Sequence, residues 1–137
     1  MRIVSLTEFP GMDVNIFNTL VDKNEIKGFI LRAFGAGDAS TNLIPALEFL
    51  QKKEIPIVIT TQTPNGNSNF QVNEPGQKIA EGELGIPAYN MSIESQTTKL
   101  AWLLAKKKKG KISYEELCKK MIVDIRGEVT HIREVKM

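Results

Sequence analysis

A chain of 137 residues has the length of one ordinary domain, and its 42% hydrophobic and 25% charged residues place it with soluble globular proteins. No apolar run approaches the ~20 residues of a membrane span, and no signal-peptide pattern opens the sequence. The single cysteine, Cys118, excludes an internal disulfide and suits a reducing compartment, so a cytoplasmic protein is expected. The formal charge of +2 is unevenly spread: ten Lys/Arg face five Asp/Glu from Lys106 onward, against eight and eleven before it.

Arg2 to Leu6 reads as a short strand that ends at Phe9-Pro10-Gly11, a turn signal. Asp13 then caps an expected helix with Val14, Phe17, Leu20 and Val21 on one face. After a polar connection, Asp22 to Lys27, the apolar run Phe29-Ile30-Leu31 opens a central strand within GFILRAFGAGDASTN, residues 28–42. Its small-residue turn, Gly35 to Ser40, hands over to a helix capped by Ser40, Thr41 or Asn42, with Leu43, Ala46, Leu47 and Leu50 inward. Ile55 to Thr61 is β-branched and almost continuously apolar, as a parallel strand buried on both faces is.

Gln62 to Gly76 is a long polar loop, the kind that is either functional or disordered. A short helix over Gln77 to Glu83 and a short strand over Ile86 to Tyr89 follow. Asn90 or Ser92 caps the longest helix, about Ile93 to Lys106, with Leu100, Leu103 and Leu104 inward. Ser113 and Glu116 form a capping-box pattern for a last helix through Met121, and residues 125–130 look irregular or edge-like. Alternating strands and helices predict an α/β fold: a three-layer α/β/α sandwich around a roughly four-stranded parallel sheet of unknown order.

Chemistry is sparse along this chain. Gly35-x-Gly37 after a strand lacks the third glycine and the later acidic residue of a dinucleotide site. His131 is the only histidine and lies far from Cys118, so neither a metal centre nor a Cys-His nucleophile is expected, and no cofactor. The lysines from Lys106 to Lys111 complement a helix C-terminus; without interleaved aromatic residues, nucleic acid is not an expected partner. The hydroxyls of Thr60 and Thr61, at the end of the second central strand, have no evident base beside them.

The segments IKGFILRAFGAGDAS, IPIVITTQTPNG, MSIESQTTKLAWLL and IRGEVT, in that order, resemble the C-terminal domain of L-asparaginases, closest to the cytoplasmic bacterial type. The resemblance covers almost the whole chain. It implies a Rossmann-like or flavodoxin-like domain, residues 1–137, without the larger N-terminal domain that carries the catalytic threonine motifs. No catalytic residue is therefore expected here, and no amidohydrolase activity of the chain alone. The implied partners are a second copy, an asparaginase N-terminal domain and a small amino-acid effector held in a cleft of this domain. The residues implied at that cleft are Arg32, Asp38, Ser40, Thr61 and Thr63. An asparagine is usual where this chain has Asp38, and a cysteine where it has Thr63. Arg32 either anchors a ligand carboxylate or pairs internally with Asp38. The equivalent domain of a tRNA-dependent glutamine amidotransferase, or a free-standing small-molecule binding module, are the alternative readings.

Overall fold

The computed structural model describes residues 2–33, 41–61 and 83–129. Strands β1 (Arg2–Thr7), β2 (Ile26–Ala33), β3 (Ile57–Thr61) and β4 (Ile86–Pro87) form one sheet in the order β1-β2-β3-β4, every pair parallel. Helices α1 (Ile16–Asn24), α2 (Ile44–Lys52), α3 (Ile93–Lys108) and α4 (Tyr114–Met121) complete the described elements, with a 3-10 turn at Thr41–Leu43.

The strand order follows the chain, so the helices that connect one strand to the next can all lie on one face. Side chains alternate across each strand. Phe29, Leu31 and Ala33 of β2, with Ile57 and Ile59 of β3, pack with Phe17 of α1 and Leu47 and Leu50 of α2. Phe17 meets Phe29 edge-on, with ring centroids 5.2 Å apart. Ile30, Val58 and Ile86 face the other way, and there Leu100, Leu103 and Leu104 of α3 with Leu117 and Met121 of α4 close the second layer. The expected three-layer sandwich around four parallel strands is what the chain adopts.

Several boundaries differ from expectation, each for a local reason. Asp13 does not cap α1: its Oδ1 accepts from the Asn15 N–H at 3.0 Å, an Asx turn, and Asn15 becomes the N-cap without a side-chain bond. β2 begins at Ile26, before Gly28, because Glu25 at φ 54° ends α1 and Ile26 is buried opposite Arg2. Neither Thr41 nor Asn42 caps α2; both lie in the 3-10 turn, and Leu43 is the N-cap. β4 stops at Pro87, where an edge strand tolerates the missing N–H, and Tyr89 at φ 51° has left the extended region. Ser92, not Asn90, caps α3, accepting from the Ser95 N–H at 3.1 Å. The Ser113–Glu116 capping box forms as expected. The glycine turn through Ser40, the loop from Gln62, most of the helix expected over Gln77 to Glu83, and His131 lie outside the described residues.

Candidate ligand crevice at the strand ends

In a parallel sheet all carboxyl ends share one rim. Arg32 is the penultimate residue of β2, half-buried, and is paired in register with Thr7 on one side and Thr60 on the other. Alternation puts Arg32 in the row of Ile30, the face covered by α3. Thr60 shares that row with Val58, and it is 4% exposed.

One residue joins this rim to α3. Gln96, fully buried in the first turns of the helix, donates from Nε2 to Thr60 Oγ1 at 3.1 Å and to the Met91 carbonyl at 2.8 Å. A carbonyl only accepts, so the amide orientation is fixed, and Gln96 Oε1 is left without a hydrogen-bond partner among the described residues. On the opposite flank Glu8, 3% exposed, follows β1 and donates its backbone N–H to the Arg32 carbonyl at 2.9 Å. The N-terminus of α3 opens onto the same rim, because the chain reverses directly after β4. The helix dipole and the Arg32 guanidinium bring positive potential to this rim, and the Glu8 side chain beside Arg32 brings a carboxyl group.

Of the residues expected at the cleft, the structure places Arg32 at this rim and carries the backbone of Thr61 to the end of β3, opposite Ala33. The side chain of Thr61, and Asp38, Ser40 and Thr63, lie outside the described residues. Sequence marks Thr60 only as a strand-end hydroxyl, and it marks neither Gln96 nor Glu8 as a site residue. A periodicity signal existed for Gln96, which falls on the α3 stripe with Leu100 and Leu103.

A second polar arrangement lies beneath α3. Lys99 Nζ donates to Glu128 Oε2 at 2.7 Å and to the Val123 carbonyl at 2.6 Å, with the two side chains 6% and 12% exposed. Burial pushes the Glu128 carboxyl up, but the Lys99 ammonium and the N–H groups of Arg126 and Ile125 outweigh it and hold it at about 2. This pair organises a loop rather than a reaction.

The described residues offer no activated nucleophile. Burial pushes the Cys118 thiol up, and the hydroxyl of Tyr114, one turn away, is raised by the same cause, so neither ionises readily at neutral pH. Among the described residues no group of three or more His, Cys, Asp and Glu could hold a metal ion. No helix there is long and apolar enough to cross a membrane.

A family model described as the glutaminase/asparaginase C-terminal domain matches residues 2–114. A glutamyl-tRNA(Gln) amidotransferase subunit of Aeropyrum pernix is 36% identical over 106 residues, covering 77% of this chain and 24% of its own. Among solved structures, L-asparaginase I from Vibrio cholerae has a TM-score of 0.79 at 32% identity, covering 94% of this chain and 38% of that one. The thermostable L-asparaginase from Thermococcus kodakarensis reaches 0.83 at 28% identity, with coverages of 95% and 38%. The chain thus spans 24% of the first relative and 38% of each of these two structures.

Proposed function

Because the chain belongs to the glutaminase/asparaginase C-terminal domain family, we propose that residues 1–137 act as one domain of a cytoplasmic L-asparaginase-type amidohydrolase. In this reading the domain serves self-association and amino-acid binding, while the nucleophile that cleaves the amide lies outside these residues. The observation that carries it is Arg32 at the carboxyl end of a central strand, on the face where Thr60 and the start of α3 converge. A guanidinium there matches the two oxygens of an α-carboxylate. The family resemblance adds Asp38, Ser40, Thr61 and Thr63 to this reading, and Asp38, an acceptor only, would suit the ligand's ammonium group rather than its carboxylate.

Calorimetric titration of asparagine, aspartate and glutamine into the chain tests this. Binding in the micromolar to millimolar range is expected, and Arg32→Lys should weaken it about tenfold or more, since lysine cannot form the fork. No heat with any of the three at millimolar ligand would end the binding-site reading. Binding unchanged by Arg32→Lys would leave Arg32 as an internal ion-pair partner.

The 36% identity to an amidotransferase subunit favours a second reading, the same domain within a glutamyl-tRNA(Gln) amidotransferase. Preference for glutamine over asparagine in the same titration would support it.

A further inference from the structure

One stripe of α3 changes character along its length. Ser95, Thr98 and Trp102 wall a cleft of about 480 Å³ against Ile125 and Arg126, and Lys106 and Lys109 follow Trp102 at helical spacing. That volume lies within the roughly 300–1,000 Å³ of small-molecule clefts. Trp102 and Ile125 are each 43% exposed, so an aromatic and an aliphatic group face solvent across it. The far wall is firmly built, because the Glu128 carboxylate accepts from Lys99 and from the Ile125 and Arg126 N–H groups.

At the cleft the charges balance. Lys99 pairs with Glu128, and the acids Glu94 and Asp124 stand against Arg126 and Lys106, whose ammonium lies 4.1 Å from the centre of the Trp102 ring. Past Lys106 they do not. Lys107 to Lys109 and Lys111, with Lys52 and Lys53 at the end of α2, are met only by Glu54, Glu115 and Glu116, and Glu116 is engaged in its capping box. Lys107 joins the two helix ends by donating to the Glu54 carbonyl at 3.1 Å. Further along this edge Asp22 and Glu25 offset Lys23 and Lys27. The negative pole of α3 amounts to roughly half a charge, well below what the lysines bring. Lys108, Lys109 and Lys111 are exposed and have no ion-pair partner among the described residues.

A polyanion that carries flat, apolar side groups fits both ends of the stripe. A single nucleic-acid strand is such a molecule, since its unpaired bases offer the faces that a duplex hides. The lysine run has no aromatic residue inside it, but the helix sets Trp102 at its head. We propose that this stripe binds single-stranded RNA, a base entering the cleft between Trp102 and Ile125 and the adjoining phosphates lying on Lys106, Lys109 and their neighbours. Those two lysines stand about 6 and about 10 Å beyond Trp102 along the helix axis. Lys106 covers one side of the ring, and a stacked base needs only the other. That the strand is RNA rests on the cytoplasmic setting proposed above; amino-acid binding plays no part.

Trp102 is the only tryptophan, so its fluorescence reports on the cleft directly. Titrating the full chain with an oligouridylate of about ten nucleotides should quench it at micromolar concentration in low salt. Affinity should fall about tenfold between about 50 and about 200 mM salt, as expected for a few phosphate contacts. Replacing Lys108, Lys109 and Lys111 together by glutamine should weaken binding about tenfold or more and flatten that salt dependence. Trp102→Ala should weaken it about tenfold, read by anisotropy of a labelled oligonucleotide, while Trp102→Phe keeps most of it. All four positions are exposed, and circular dichroism checks that the fold is kept. No binding in low salt would overturn the proposal. Binding that leaves Trp102 fluorescence unchanged, or that polyglutamate or phosphatidylserine vesicles match, would overturn it too, because charge alone would then account for the attraction.

Discussion

Lys99 shows how much one buried ammonium can organise. Its two acceptors lie 24 and 29 residues away in sequence, so a single side chain ties the end of the described chain to α3. Removing one partner of a buried pair strands the other, and Lys99→Met is expected to destabilise the chain by about 3 kcal/mol in denaturant unfolding. Glu128 adds a pH signature. Its folded carboxyl sits at about 2 against an ordinary 4.5, so the unfolded chain takes up the proton first as pH falls. The stability it contributes is therefore complete above about pH 5 and lost progressively down to about pH 2. Glu128→Gln should flatten that part of the stability profile, and an unchanged acid limb would show that the pair does not couple to folding. Nothing in residue type announces this pair. Lysine and glutamate read as surface residues, and only the helical spacing of Gln96, Lys99, Leu100 and Leu103 hinted that two polar residues shared the buried stripe.

At the scale of elements, Gly28 sets how closely α3 lies on the sheet. A Cβ there would stand 3.1 Å from Leu104 Cδ1 and 3.2 Å from Leu100 Cδ2, both in the packed second layer. Gly28→Val should cost about 2 kcal/mol through overpacking, despite valine's preference for strands. A thermal midpoint equal to wild type would show that α3 can shift without penalty. Strand and helix existence was legible because the apolar runs at Phe29-Ile30-Leu31 and Ile57-Val58-Ile59 and the leucine stripe of α3 are strong periodic signals. Element ends were less legible. Asp13 and Asn42 are good capping residues by type, yet the chain uses one for an Asx turn and places the other in a 3-10 turn, choices that depend on where the preceding strand delivers the backbone. Ser92 and the Ser113–Glu116 pair did announce their helices, because a cap bond is local to four residues.

For the molecule as a whole, strand order is the property that periodicity could not supply, since any permutation of four parallel strands buries the same runs. The observed order β1-β2-β3-β4 puts the ends of β2 and β3 side by side and thereby pairs Arg32 with Thr60. Arg32 was legible in the sequence as a strand-end residue, while the Gln96 bridge to Thr60 required knowing that α3 returns over that face. Among its described residues the domain places Arg32 at the strand-end rim and offers no activated nucleophile, and the proposed function separates binding from cleavage. The most direct measurement of that separation is ammonia release from asparagine and glutamine by the purified 137-residue chain. Release no faster than the uncatalysed background, at ligand concentrations that fill the crevice by calorimetry, is expected; release above background that disappears in Thr61→Ala or Thr63→Ala would contradict it, because a hydroxyl of this chain would then be the nucleophile.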